Sequence, residues 1–80
     1  MSIKIYLGTD MQDGEQVIAI RTVDGNFVVA NNDDGDSREM VVSWLQAHAN
    51  KRWVKFAELH WPKRDANEVQ GLDLVMEIPE

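Results

Sequence analysis

The residues that first suggest chemistry are the acids of residues 31–36, Asn-Asn-Asp-Asp-Gly-Asp. A twelve-residue calcium loop requires acids or Asn at positions 1, 3 and 5, Gly at position 6 and Glu at position 12. With Gly35 at position 6, Ala30 falls at position 1 and Val41 at position 12, so both anchoring ligands are missing. We therefore expect a solvated loop that leads into a helix, with no bound metal.

The remaining candidates for metal or nucleophilic chemistry are few. His48 and His60 lie twelve residues apart, and the chain has no cysteine. Two imidazoles without a thiolate make a poor transition-metal site unless acids complete it. Ser2, Ser37 and Ser43 lack a nucleophile-elbow sequence, and no Gly-rich loop is present to hold phosphate. We expect no enzymatic activity, no cofactor and no metal site.

A basic and aromatic segment, residues 51–64, is one candidate binding surface. Cations that follow phosphates and rings that stack on bases are used to bind single-stranded nucleic acid, and Trp and Arg are also enriched at protein hot spots. The alternative is that the rings belong to the core and the lysines to its solvated side. The residues of this surface are Arg52, Trp53, Lys55, Trp61, Lys63 and Arg64.

Two acid-rich loops, within residues 10–15 and 33–39, are the other candidate surface. Clustered carboxylates on a small scaffold can occupy a cationic groove of another protein, where their field speeds association and adds specificity. The alternative is that they serve solubility alone. The residues of this surface are Asp10, Asp13, Glu15, Asp33, Asp34, Asp36 and Glu39.

The charge distribution separates these two surfaces along the chain. The 80 residues carry 14 acids and 8 bases, a net charge of −6. Residues 1–39 and 65–80 each have a net charge of −5, whereas residues 51–64 have +4. A net negative charge disfavours general binding to nucleic acid or to anionic membranes. Because no signal-peptide or membrane-spanning run is present, we expect a soluble, cytoplasmic protein.

An amphipathic helix over residues 36–50 is predicted to organise the fold. Its apolar positions recur with helical spacing and form one stripe. Asp36 is predicted to cap this helix with Glu39 in the third helical position, and Asn50 to end it. The residues of the stripe are Met40, Val41, Trp44, Leu45 and His48.

Strands are predicted over residues 3–7, 16–23, 26–30 and 72–78, and Asp24-Gly25 indicates a two-residue hairpin turn. Residues 51–61 fit a helix or a strand; we favour a strand, because aromatic residues suit a pleated surface. Residues 62–67 are predicted to be a turn. The last strand alternates, with a buried face formed by Leu72, Leu74, Met76 and Ile78.

These elements predict one α+β domain over residues 1–80. Their order is β-β-β-α-β-β, with a small, mostly antiparallel sheet and one amphipathic helix packed on one face.

The charge layout favours a non-enzymatic protein-binding module, an inhibitor or adaptor. Its acidic surface would engage a basic, nucleic-acid-binding surface of a partner protein, with Trp53 or Trp61 as an apolar anchor. In kind, a small, acidic, cysteine-free chain resembles many bacteriophage inhibitors of host nucleic-acid machinery, including anti-CRISPR proteins, although no motif identifies a family. The alternatives are a structural homo-oligomer, such as a homodimer that buries residues 72–78, and a single-stranded nucleic-acid binder acting through residues 51–64.

Overall fold

Five strands and two helices make up the α+β fold of residues 2–33 and 35–79, the part of the chain that the computed structural model describes. Each pair of neighbouring strands is antiparallel, in the spatial order β4-β3-β2-β1-β5. The second helix replaces the strand that we favoured for residues 51–61. The elements are β1 (Ser2–Asp10), β2 (Gln16–Arg21), β3 (Phe27–Asn32), α1 (Arg38–His48), α2 (Lys51–His60), β4 (Lys63–Asp65), a 3₁₀ turn (Ala66–Glu68) and β5 (Val69–Pro79).

The sheet buries side chains on both of its faces. The central strand β2 shows this directly, because its residues 17–20 form a continuous buried run. Alternate side chains of a strand point to opposite faces, so a run of this kind requires cover on both. On one face, Ile18 and Ile20 pack with Ile5 and residues of both helices. The opposite face holds a second cluster, formed by Val17, Ala19, Val28, Ala30 and Val69.

Strong coiling of the sheet closes the second face. Strands β4 and β5 lie at opposite edges of the sheet, so in a flat sheet they would be about 19 Å apart, four spacings of about 4.8 Å. Instead the four residue steps from Asp65 to Val69 join them, a span of at most about 14 Å even in an extended chain, so the sheet must coil. Across the coiled sheet, Arg64 of β4 lies 2.6 Å from the carboxylate of Asp10 in β1. The 3₁₀ turn between β4 and β5 crosses this face, where the Ala66 N–H donates to the carbonyl of Asn26. The chain thus covers its own sheet with the connection that we predicted to be a simple turn.

The hairpin between β2 and β3 is present, but its turn is longer than predicted. The Thr22 N–H donates to the carbonyl of Phe27 at 3.1 Å, which closes a four-residue connection over residues 23–26. Within it Gly25 has a φ of 77°, a conformation that suits Gly. The Asp24 carboxylate accepts from the Thr22 hydroxyl at 2.6 Å and from the Asn26 N–H at 3.1 Å. Asp24 therefore stabilises a wider turn than an Asp-Gly pair alone predicts.

The alternation predicted for the last strand is interrupted by irregular pairing with β1. Ile5 pairs with Met76 while Tyr6 pairs with Leu74, so Val75 is an extra residue on β5. Val75 and Met76 consequently both pack against the helix-side core, and Leu74 is 45% exposed. A bulge changes the phase of a strand, and this explains why the predicted buried face fails at Leu74.

Helix α1 confirms the central part of the predicted stripe. Val41 and Leu45 are buried, whereas Met40 is 60% and Trp44 46% exposed. Ser37, not Asp36, caps the helix, because the Ser37 hydroxyl accepts from the Met40 N–H at 3.3 Å. Asp36 lies one residue before this cap, so the predicted cap was one position early.

Helix α2 is capped by Asn50, the residue that we predicted to end α1. The Asn50 side chain accepts from the Trp53 N–H at 2.9 Å and so caps α2. Val54 and Ala57, one helical turn apart, are buried, and the half-buried Trp53 and Trp61 pack beside them. Asn is favoured at a helix N-cap as well as at a helix C-terminus, and here Asn50 is an N-cap. Neither helix in residues 2–33 and 35–79 is long and apolar enough to cross a membrane.

Leu45 and Trp44 should differ in their contribution to stability. Leu45 is completely buried, so Leu45→Ala should reduce the free energy of unfolding by about 2–5 kcal/mol. Trp44→Ala should cost less, because 46% of Trp44 is already exposed. Urea denaturation of both variants measures the difference. A larger loss for Trp44→Ala would place that ring in the core.

The capping assignment can be tested in the same way. Ser37→Ala should reduce the free energy of unfolding by about 1 kcal/mol, because it leaves an N–H of the first turn without its side-chain acceptor. Asp36→Ala retains that hydrogen bond and should cost only a few tenths of a kcal/mol, the size of a surface dipole interaction. Thermal denaturation of the two variants would refute the assignment if Asp36→Ala proved the more damaging.

Candidate functional site

The two acid-rich loops predicted from the sequence lie side by side. The β1–β2 loop leads into β2 at the same end of the sheet at which β3 finishes, where Val17 pairs with Asn32. The Asp33 N–H donates to the carbonyl of Gln16 at 2.8 Å. The Gln16 side-chain amide in turn donates to the carbonyl of Asp36 at 3.3 Å. Gln16 therefore connects the start of β2 to the segment that precedes α1.

Asn32 joins the carboxylates of the first loop to the end of β3. Its side-chain amide donates to Asp13 at 3.3 Å and to Glu15 at 3.0 Å. Asp33 and Asp36 adjoin the start of β2 through their hydrogen bonds with Gln16, and Glu39 follows in the first turn of α1. We call Asp13, Glu15, Asp33, Asp36 and Glu39 the acidic edge; Asp33 is half-buried and the other four are exposed. Asp34, which belongs to the predicted surface, lies outside the described residues.

Asp10 does not belong to this surface, and Arg64 does not belong to the predicted basic one. Asp10 is only 6% exposed, and Arg64 lies 2.6 Å from its carboxylate and 3.6 Å from that of Glu68. Asp10 also accepts from the Gln12 N–H at 2.7 Å. The Gln12 N–H and then the Arg64 side chain lower the pKa of Asp10. The sequence assigned the two residues to opposite surfaces because nothing local indicates their pairing.

The other basic and aromatic residues predicted as one surface are also dispersed. The Lys63 ammonium lies 4.3 Å from the centroid of the Phe27 ring, on the β3–β4 side of the sheet. Arg52 and Lys55 are exposed on α2. Trp53 and Trp61, in contrast, pack against the core, and the Trp53 ring also contacts Trp44 of α1. The remaining residues of the predicted basic and aromatic surface thus lie in three different environments.

The indole rings of all three tryptophans line one cleft. The Trp44 and Trp53 rings are 6.0 Å apart, and the Trp53 and Trp61 rings are 5.3 Å apart and nearly perpendicular, at 88°. The cleft has a volume of about 220 Å³ and opens to solvent between the sheet and the two helices. We call it the tryptophan cleft; its lining consists of Ile18, Asn31, Asp33, Asp36, Val41, Trp44, Trp53 and Trp61.

The tryptophan cleft and the acidic edge share two residues, Asp33 and Asp36. Aromatic faces attract cations through their quadrupole, and carboxylates attract them by charge. The sequence did not indicate this site, because Trp44 falls on the apolar stripe of α1 and was assigned to the core. The sequence feature that could have indicated the site is the position of Trp44 at the border of that stripe, one helical turn after Met40. Met40 is itself 60% exposed in the structure.

Comparison of the chain with protein-family models, with curated proteins and with solved structures gives no match. Among residues 2–33 and 35–79, no three His, Asp or Glu side chains are grouped so that they could hold a metal ion.

The lowered pKa of Asp10 predicts acid sensitivity. A carboxyl whose pKa is lower in the folded than in the unfolded chain stabilises the fold above the ordinary value of 3.8, and this contribution is lost as the pH falls through the folded-state pKa. Asp10→Asn should therefore flatten the dependence of the free energy of unfolding on acidic pH. Arg64→Gln should flatten it less, because the Gln12 N–H bond remains. Denaturation titrations over the acidic range measure both slopes, and an unchanged slope in Asp10→Asn would contradict the assignment.

Proposed function

We propose that the protein is a non-enzymatic binding module that inhibits a partner by occupying a basic, nucleic-acid-binding surface. The observation that carries this proposal is the acidic edge, in which two loops distant in sequence present their carboxylates together. A concentrated negative surface attracts a cationic one, speeds the encounter and disfavours partners of like charge.

The acidic edge is held by hydrogen bonds rather than left to loop motion. Asn32, at the end of a paired strand, holds Asp13 and Glu15. Asp13 also accepts from the Glu15 N–H at 2.9 Å, which fixes the course of the loop. A surface that is ordered before binding loses less conformational entropy when the partner arrives. This supports a binding role over a role in solubility alone.

The alternatives are less well supported. The cations and rings of residues 51–64 lie in separate environments, so they do not support a continuous platform for single-stranded nucleic acid. Strand β5 lies at an edge of the sheet, where a second copy would pair with it. Its irregular pairing and its exposed Asp73 and Glu77, however, are features that discourage strand addition.

We infer a cytoplasmic site of action, since a chain without cysteine needs no oxidising compartment.

A pair of charge-reversal variants tests the proposed surface. Glu15→Lys with Glu39→Lys changes two exposed acids of the acidic edge that do not line the tryptophan cleft, and Glu58→Lys with Glu77→Lys changes two exposed acids elsewhere. Each pair raises the net charge from −6 by 4, to −2, so the two variants differ only in where charge is placed. The first should lose its partner in affinity capture from a nuclease-treated lysate, and the second should retain it at low salt and release it as salt rises.

Thermal denaturation should show both variants folded. Equal capture by the two variants would remove the acidic edge from the interface. If the unmodified protein captures a partner from untreated lysate but none from nuclease-treated lysate, the binding is to nucleic acid instead.

A further inference from the structure

The tryptophan cleft has the chemistry of a site for a cation. Three indole rings and two carboxylates line one opening, and the ring contacts run without a break from Trp44 through Trp53 to Trp61. The faces of aromatic rings, Trp above all, attract cationic groups, and they do so more strongly where water is partly excluded. Asp33 and Asp36 add negative charge at the same opening.

We propose that the tryptophan cleft receives an arginine side chain of the partner protein and so anchors the complex. This inference rests on the proposed function, since it names the group of the basic partner that enters the acidic edge. A guanidinium is planar, weakly hydrated, stacks on aromatic rings and pairs with carboxylates through two parallel hydrogen bonds. An ammonium is a strongly hydrated point charge and exploits the ring faces less well.

The size of the cleft agrees with one such side chain. Its volume of about 220 Å³ accommodates roughly seven water molecules at ~30 Å³ each. An arginine side chain has a similar number of non-hydrogen atoms. The cleft is also partly apolar, through Ile18 and Val41, which suits the aliphatic stem of arginine behind its charged end.

The cleft also has a position suited to an anchor. Trp53 and Trp61 are half-buried against the core, so these two walls are fixed by packing. Trp44 is the most accessible of the three rings, at 46% exposure, and its other neighbour is the His48 ring at 4.9 Å. Anchors of protein complexes are commonly a single Arg or aromatic side chain inserted into a pocket and surrounded by weaker polar contacts. The carboxylates of the acidic edge supply those surrounding contacts.

The test uses the side chain alone and needs no knowledge of the partner. N-acetylarginine amide is titrated into the 80-residue protein while the indole N–H signals are followed by NMR and the tryptophan emission by fluorescence. We expect saturable shifts with a dissociation constant of roughly millimolar, the strength of one isolated contact. N-acetylcitrulline amide, a neutral analogue of nearly the same shape, should cause no saturable shift, and N-acetyllysine amide a weaker one.

Three variants locate the site. Trp44→Leu removes the accessible ring and should weaken binding roughly fivefold or more. Asp36→Asn removes one charge with little change of shape and should weaken it as well. Phe56→Leu, which changes an aromatic of α2 that is 55% exposed and does not line the cleft, is the matched control and should bind as the unmodified protein does. If Trp44→Leu does not fold, Asp36→Asn and the control decide the question.

The outcomes separate this inference from the proposed function. Equal shifts with citrulline, or binding unaffected by Trp44→Leu and Asp36→Asn, would overturn the arginine site while leaving the charge-reversal experiment on the acidic edge untouched. Tighter binding of tetramethylammonium than of the arginine derivative would also overturn it, because the cleft would then suit a free quaternary cation. Arginine binding together with equal capture by the two charge-reversal variants would support the cleft and refute the function proposed for the edge.

Discussion

The buried contact between Asp10 and Arg64 is the constraint on which the rest of the fold depends. A chain of 80 residues has few side chains with which to cover a sheet, yet the central strand of this one is buried on both faces. Helices cover one face, and the crossing between β4 and β5 covers the other. A buried charge without a partner is costly, so pairing these two residues favours the coiled sheet over flatter alternatives.

The same contact connects the core to the proposed binding surface. Asp10 accepts from the Gln12 N–H, and its own N–H and carbonyl bond to Glu15 and Gly14, so it fixes the loop that carries Asp13 and Glu15. The second loop is fixed by Gln16, the first residue of β2. Carboxylates that would repel one another if free are thereby held together by backbone and side-chain amides. The hydrogen bonds that order the ends of β1 and β3 and the start of β2 therefore also hold the acidic edge in place.

The sequence predicted the parts of the structure that depend on local pattern. The α1 stripe at Val41 and Leu45, the hairpin near Gly25 and the strand character of β2 each follow from a periodicity or a turn residue within a few positions, and the structure contains all three. Helix α2, the extra residue in β5 and the Asp10–Arg64 pair were not predicted. Helix α2 was missed because Asn50 is suited to either end of a helix. Val75 is identified as an extra residue only from the pairing of β5 with β1. Asp10 and Arg64 are 54 residues apart, so no local pattern indicates that they pair.

The tryptophan cleft shows why the candidate site was harder to predict than the fold. Hydrophobicity alone predicts that all three tryptophans are core residues, and Trp53 and Trp61 do pack against the core. Their place in the cleft depends on the packing of the two helices on the sheet, which brings Asp33 and Asp36 to Trp53 and Trp61, 17 or more residues away in sequence. An indole contributes to the core through one part of its surface and can bind a cation through another. In a domain of this size, the aromatic residues that stabilise the core are therefore also the ones available to form a binding site at its margin.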